Sequence, residues 1–347
     1  MNFDFSDDQQ AIKRTAKDFL AARFAAERVR ELAEARGYDD GAWSEMCELG
    51  WPGIFIEERH GGQQLGTLEL VILMEELGYV LAPVPFLSNA AAGLALQAAG
   101  TDEQRERWLP GIASGKARGT VGLVQPEGGI SGDETEAKLV PDADSAEVIV
   151  LLHPDGGTVV ERSTAEIEPV ETIDATRRFA RVRGDGGEPL AGDAAGALDR
   201  IAVAVAGELT GVAQRAMEMA VEYARDRKQF GRPIGSYQAV SHRCAQMLLE
   251  TESARSGTYY AAWTADSEPE TLPLAAAMAK SYASDAGWRV TASALQVHGG
   301  IGFTWEHDLH FFLKRAKADG LLYGSARRHR ERVAELSGLP GRQPAPA

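Results

Sequence analysis

The chain has 347 residues, enough for one large domain or two to three ordinary ones with a sizeable core. Hydrophobic content of 44% and charged content of 25% belong to a water-soluble globular protein, and a net charge of −15 excludes general attraction to nucleic acid or to an anionic membrane. Two cysteines, Cys47 and Cys244, are too few for a disulfide framework and fit a reducing cytoplasm.

The acidic start MNFDFSDDQQ does not read as a signal peptide, and apolar stretches such as LSNAAAGLALQAAG are too short and small-sided to span a bilayer. Residues up to about 115 predict helices. Ser6 followed by Asp7 and Asp8 is an N-cap with an acidic first turn, and Ile12, Ala16, Phe19, Leu20 and Phe24 continue as a helical stripe. TLELVILMEELGYVLA is apolar nearly all round and so predicts a buried helix. TDEQRERWLPGIASGK opens with a Thr cap and Gln104 at the capping-box position. Cys47 and Cys244 lie on helical patterns and read as core thiols.

The pattern changes at about residue 118. TVGLV, EVIVLL, GTVVE and FARVRG are short, rich in Val and Ile, and separated by turn residues, which predicts a small antiparallel β unit, sandwich or barrel-like. After the Gly/Asp/Ala-rich connection 184–198, Ile201, Val205, Leu209, Val212, Ala216, Met219 and Tyr223 fall on one helical face. Further helices are expected at about 236–264, 271–297 and 306–338. The prediction is an α+β multidomain fold. It has an N-terminal helical domain (1–117), a middle β domain (118–197), a C-terminal four-helix bundle (198–338) that makes most of an oligomer interface, and a disordered tail (339–347).

Two motifs in the last region carry chemistry: RDRKQFGRPIGSYQ (225–238) and LQVHGGIGFTWEHDLHFFLKRAKA (295–318). With the α–β–α order, they resemble the acyl-CoA dehydrogenase family over nearly the whole chain. The first is similar to the family's Arg-Lys-x-Phe-Gly segment with a Gln seven residues after the Gly, the second to its Gln-x-x-Gly-Gly-x-Gly-Phe signature. The resemblance implies that Arg227, Phe230, Gln238, Gln296, Gly299 and Gly300 bind the pyrophosphate and adenosine portion of a neighbouring subunit's FAD. The residue types suit that task. A guanidinium forks onto phosphate oxygens, and paired glycines let backbone N–H groups approach an anion. A cationic helix end complementing the dipole accounts for Arg225 and Lys228, but not for the Phe, the Gln or the distant Gly pair.

The resemblance further implies oxidation of an acyl-CoA thioester, with a carboxylate base for the α-proton and electron-transfer flavoprotein as acceptor. Most members place a Glu directly after a Tyr near the last helix; here Tyr323 is followed by Gly324. A minority place it early in the first C-terminal helix, where this chain has Ile201. No catalytic residue is therefore assigned. The Thr-Glu-Pro-like turn of the family's own flavin pocket is replaced by Val124-Gln125-Pro126, and no Trp occurs in 118–197. The pattern is similar to the short subunits of heteromeric family members in actinobacterial steroid side-chain degradation. It implies a heterotetramer with a homologous base-carrying subunit. A self-sufficient homotetramer with an unrecognised base and a non-catalytic scaffold are the alternatives.

Other residues have plainer expectations. Glu208, two helical turns beyond Ile201, is expected to be a buried Glu satisfied by polar neighbours. His307 and His310 are expected at a surface or interface rather than on a metal, for want of a third ligand. His298 should position backbone, RRHRER (327–332) should be a solvated helix face, and ERHGGQQLG (58–66) should be a structural loop.

Overall fold

The structure, a computed structural model, describes residues 5–124, 135–153, 156–184 and 186–339. The Gln125–Pro126 turn and, apart from Leu339, the tail expected at 339–347 lie outside the described residues. Six helices open the chain: α1 (Asp7–Arg23), α2 (Ala26–Ala35), α3 (Asp40–Glu48), α4 (Thr67–Val80), α5 (Phe86–Ala99) and α6 (Asp102–Ala113). Ser6 and Thr101 each accept from the N–H three residues on, and Gln9 and Gln104 reach back to the cap N–H, so both N-termini are satisfied locally. α4 is buried on every side from Leu70 to Gly78, as its unbroken apolar sequence predicts. In the 58–66 loop Gly62 lies against the Ile56 carbonyl where any Cβ would collide, so that glycine is structural. Cys47 and Cys244 are half-buried at the edge of the core rather than within it.

The middle region contains β1 (Gly119–Leu123), β2 (Glu136–Pro141), β3 (Val148–His153), β4 (Gly156–Glu161), β5 (Ala165–Val170), β6 (Phe179–Gly184) and β7 (Glu188–Pro189). They form two sheets, ordered β1-β3-β4-β7 and β2-β6-β5, packed over Ala137, Val140, Ile149, Leu151, Val160 and Val182. Neither closes into a barrel among the described residues. The expectation of an all-antiparallel unit is corrected at one place: β1 and β3 are parallel, Gly119 opposite Val148. The intervening β2 belongs to the other sheet, so the chain returns to the first sheet in the direction it left. Strand-like composition carries no information on that crossing. β3 is buried on both faces. Val148, Val150 and Leu152 join the helical core and Ile149 and Leu151 the sandwich core, which is why VIVLL lacks polar alternation.

The C-terminal region begins with α7 (Ala194–Asp226), four residues before the expected start, because Asp193 caps it by accepting from the Gly196 N–H at 2.8 Å. It continues through β8 (Lys228–Gln229), β9 (Arg232–Pro233), α8 (Gln238–Ser267), α9 (Leu272–His298), α10 (Leu309–Leu321) and α11 (Ala326–Leu336). α7 to α10 form the bundle, and α11 packs on α9. The single helix expected over 306–338 is two helices, broken where Tyr323 (φ +55°) and Gly324 (φ +109°) enter the positive-φ region. No described helix is long and apolar enough to cross a membrane.

Close backbone crossing and buried charge join these parts. α4 and α7 cross at Gly78 and Gly211, each facing a carbonyl of the other helix, those of Glu208 and Glu75. Asp142 accepts from the hydroxyls of Tyr38 and Ser88 and so ties the first helices to the β unit. Arg177, just before β6, donates to Asp319 Oδ1 at 2.5 Å and to both Glu208 oxygens at 2.7 and 2.8 Å. Arg315 of α10 donates to Glu208 Oε1 at 2.7 Å, Asp174 Oδ2 at 2.6 Å and Thr176 Oγ1 at 2.6 Å. Glu208 is thus the satisfied buried carboxylate expected.

Three carboxylates here face two guanidiniums, and among the described residues Asp319 Oδ2 has no hydrogen-bond partner. Burial and then the Glu208 charge push the Asp319 carboxyl up to about 7. A raised carboxyl pKa means that Asp319 holds its proton in the fold and releases it on unfolding. Its contribution to stability therefore falls as pH rises from about 4 toward 7. Asp319→Asn removes that titration. The Tm of Asp319→Asn relative to wild type is expected to climb between about pH 5 and 7.5. His298, His307, His310 and His329, whose pKa values burial lowers and which act with the opposite sign, cancel in the difference. A pH-independent difference would mean that Asp319 is charged throughout. Separately, Gly211→Ala forces α4 and α7 apart and is expected to cost at least about 1–3 kcal/mol in denaturant unfolding.

Candidate functional site

At the C-terminus of α7 the helix stops because Arg227 turns extended, its N–H still donating to the Tyr223 carbonyl. The chain then makes a two-residue hairpin, Lys228 opposite Pro233 and Gln229 opposite Arg232. The turn is Phe230 (φ +50°) and Gly231 (φ +81°), two successive positive-φ residues, as a primed hairpin turn requires. Glycine meets that demand freely, whereas Phe230 does so at roughly 1–2 kcal/mol. The strained residue is also 93% exposed, so the hairpin presents an apolar ring to solvent at an energetic disadvantage. Arg232 stacks 4.0 Å over the Tyr237 ring, and the Tyr237 hydroxyl donates to the Gln229 carbonyl, which stiffens the hairpin. Among the described residues the side chains of Arg225, Arg227 and Lys228 are exposed and have no ion-pair or hydrogen-bond partner. Gln238 opens α8 and is exposed.

The second motif ends α9. Gly299 (φ +60°, ψ −138°) donates its N–H to the carbonyls of Gln296 and Leu295 and turns the chain into the tight turn Gly299–Phe303. A Cβ at Gly299 or Gly300 would meet nothing within 4 Å, so both glycines face open space. Gln296 is exposed on the last turn. The Tyr223 ring stacks on His298 at 4.5 Å, one helical turn before Arg227, so the ends of α7 and α9 lie side by side. His298 is held by a 2.8 Å contact from Nδ1 to the Ala294 carbonyl, and burial lowers its pKa, which suits positioning rather than proton transfer. Phe303, which ends the turn, and Trp305 just beyond it are each 70% exposed. His307 packs on His298 and His310 on Trp305, and among the described residues no group of three ligands suits a metal ion.

The positions matched to the family's base lie elsewhere. Ile201 is fully buried in the α7 core. Tyr323 and Gly324 form the α10–α11 corner, where the Tyr323 hydroxyl donates to the Val121 carbonyl at 3.1 Å. Two clefts flank that tyrosine. One, of about 380 Å³, is lined mainly by Leu123, Leu139, Ile173, Phe179, Leu321 and Leu322, with Lys138 and Lys317 as its charged residues. The other, of about 190 Å³, is lined by His153, Arg328, His329 and Arg332 among apolar neighbours. No described carboxylate lines either cleft. The 327–332 run is only partly the solvated face expected. His329 is buried, and Arg332 pairs with the buried Asp199.

Sequence reasoning missed Arg177, Arg315, Asp319 and the buried Lys280. A signal existed for two of them: Arg315 and Asp319 follow Phe312 at steps of three and four, so they fall on α10's apolar stripe. Arg177, in a loop, gave none.

Residues 6–116 match the family description "Acyl-CoA dehydrogenase, N-terminal domain", and residues 191–337 match "Acyl-CoA dehydrogenase, C-terminal domain". The chain is 34% identical over 330 residues to acyl-CoA dehydrogenase IpdE2 of Mycolicibacterium smegmatis, spanning 94% of this chain and 98% of that protein. Among solved structures it is similar to the ChsE4-ChsE5 complex from Mycobacterium tuberculosis (25% identical, TM-score 0.88, 98% of this chain and 100% of that one). It is also similar to a variant of the Tcur3481-Tcur3483 steroid ACAD (27% identical, TM-score 0.86, 96% and 98% covered). With both helical regions matched on either side of the β unit and relatives spanning nearly its whole length, the chain belongs to the acyl-CoA dehydrogenase family, flavoproteins that act as oxidoreductases on CH–CH groups.

Proposed function

We propose that this chain is the base-lacking subunit of a heteromeric acyl-CoA dehydrogenase that lends half of an FAD site to a homologous, base-carrying partner. The observation that carries this is an asymmetry. Arg227, Phe230, Gln238, Gln296 and Gly300 are all exposed, around the ends of α7 and α9 and the start of α8, whereas no described carboxylate lines the clefts beside Tyr323. Glu208 offers no substitute, because two arginines hold it as an ion pair and keep its pKa low.

The residues present fit the cofactor. Arg227 has a free guanidinium for a pyrophosphate oxygen, Phe230 an exposed face for an aromatic ring, and the Gly299–Gly300 turn has open space for an anion to reach its N–H groups. Bound FAD supplies a hydride acceptor for the β-carbon of an acyl-CoA, and the α-proton goes to the partner's carboxylate. The likeness to a heteromeric complex and to a steroid ACAD supports a heterotetramer and makes a steroid-derived acyl thioester the first substrate to test. Electron-transfer flavoprotein is the proposed acceptor. The reducing cytoplasm, which two free thiols suit, is the proposed site of action.

The chain purified alone is expected to carry little FAD and to dehydrogenate no acyl-CoA. Stoichiometric flavin with turnover in the lone protein would defeat the proposal. In the co-expressed complex, Arg227→Ala removes a charge-assisted bond of about 1.5–3 kcal/mol and is expected to weaken FAD retention roughly ten- to a hundredfold. Lys228→Ala should change it much less. Equal FAD affinity in wild type and Arg227→Ala would return the cluster to a solvated helix end.

A further inference from the structure

Three rings join the two exposed motifs. His298, only 4% exposed, stacks on Tyr223 of α7 with the ring planes 23° apart, and its centroid also lies 4.4 Å from that of His307. The backbone decides which nitrogen of each imidazole carries a proton. A carbonyl only accepts, so His298 Nδ1 donates to Ala294 at 2.8 Å. A backbone N–H only donates, so His307 Nδ1 accepts from Leu309, the first residue of α10, at 3.2 Å. His307 is neutral while that bond stands, because an imidazolium has no lone pair to accept with. Around it are His298 of α9, Asp308, His310 and Lys314 at the start of α10, and Arg30 of α2. Arg30 already pairs with Asp308, and Glu306 is exposed. Burial and then the His298 ring lower the His307 pKa, with Asp308 opposing.

We propose that His298 is a positioning residue of the FAD half-site: through its contacts with Tyr223 and His307 it locks the Gln296–Gly300 turn to the Arg227–Phe230 hairpin, so that both motifs meet one cofactor. A proton on His307 removes the acceptor of the Leu309 N–H and sets a cation beside the His298 ring, so acidification loosens the lock. This rests on the reading of the two motifs as an FAD half-site.

FAD retention by the co-expressed complex tests the lock. At about pH 7.5, His298→Ala is expected to weaken it roughly three- to tenfold, the effect of one lost aromatic pair. His298→Phe keeps a stacked ring and should stay near wild type. Retention by wild type should fall as pH drops from about 7.5 to 5. His307→Asn, whose Oδ1 can accept from Leu309 without titrating, should flatten that fall. Equal retention in wild type and His298→Ala, or a fall as steep in His307→Asn, would overturn the proposal. So would a rise on acidification, which means that the ring charge serves the pyrophosphate directly. Should His298→Ala not fold, the pH profiles of wild type and His307→Asn decide instead. Hydrogen exchange of residues 223–234 in the lone chain needs no FAD: it should quicken in His298→Ala but not in His298→Phe. Unchanged exchange defeats the lock. Quickened exchange together with FAD retention indifferent to Arg227→Ala defeats the half-site reading instead, so the two failures are distinguishable.

Discussion

Arg177 and Arg315 are both buried, and each is paired with carboxylates from another part of the chain. Arg177 reaches from the end of the β unit to Glu208 on α7 and Asp319 on α10, while Arg315 reaches back from α10 to Asp174 and Thr176. Charges taken out of water in this way add little net stability, but an unmatched one costs several kcal/mol. The cluster therefore acts as a register pin. The β unit meets the bundle where every partner but one carboxylate oxygen is satisfied, and any sliding leaves a buried charge alone. The position of the α10–α11 corner relative to β1 and β2, and hence the two clefts beside Tyr323, follows from that joint.

The same joint separates two ends of the molecule with opposite chemistry. At the ends of α7 and α9 the chain holds Phe230 in solvent on a strained backbone, an unfavourable arrangement unless something covers it, beside three exposed cations that have no partner among the described residues. At Tyr323 the opposite holds: the Tyr323 hydroxyl, His329 and Lys280 all donate to backbone carbonyls beside the two clefts. A self-sufficient enzyme needs both ends operative. In this chain the exposed residues gather at the outward end, and no described carboxylate lines the clefts at the end that faces the β unit.

Much of the fold was legible because local physics dictates it. The Ser6 and Thr101 caps, the wholly buried α4 and the apolar face of α7 depend on neighbours within a few residues in sequence. The same holds for the backbone of the candidate site residues: Phe-Gly and Gly-Gly pairs favour turns wherever they are placed. The misses were non-local. The helix pattern over 306–338 ran through Tyr323 and Gly324 without a proline to stop it. β1 and β3 had the composition of strands with nothing to give their relative direction.

The sequence by itself determined the order of helical, β and helical regions, the cation cluster around Phe230 at the end of a long helix, and the absence of a carboxylate at either expected base position. These follow from residue type and spacing along one segment. Only the tertiary structure decided that β1 and β3 run parallel, that Glu208 is held by two arginines, and that His329 and Lys280 donate to the Tyr323 and Gly324 carbonyls. Each of these depends on groups far apart in sequence. Glu208 and Arg315 are separated by more than a hundred residues, and their meeting depends on how α7, α9 and α10 pack, which no local pattern encodes.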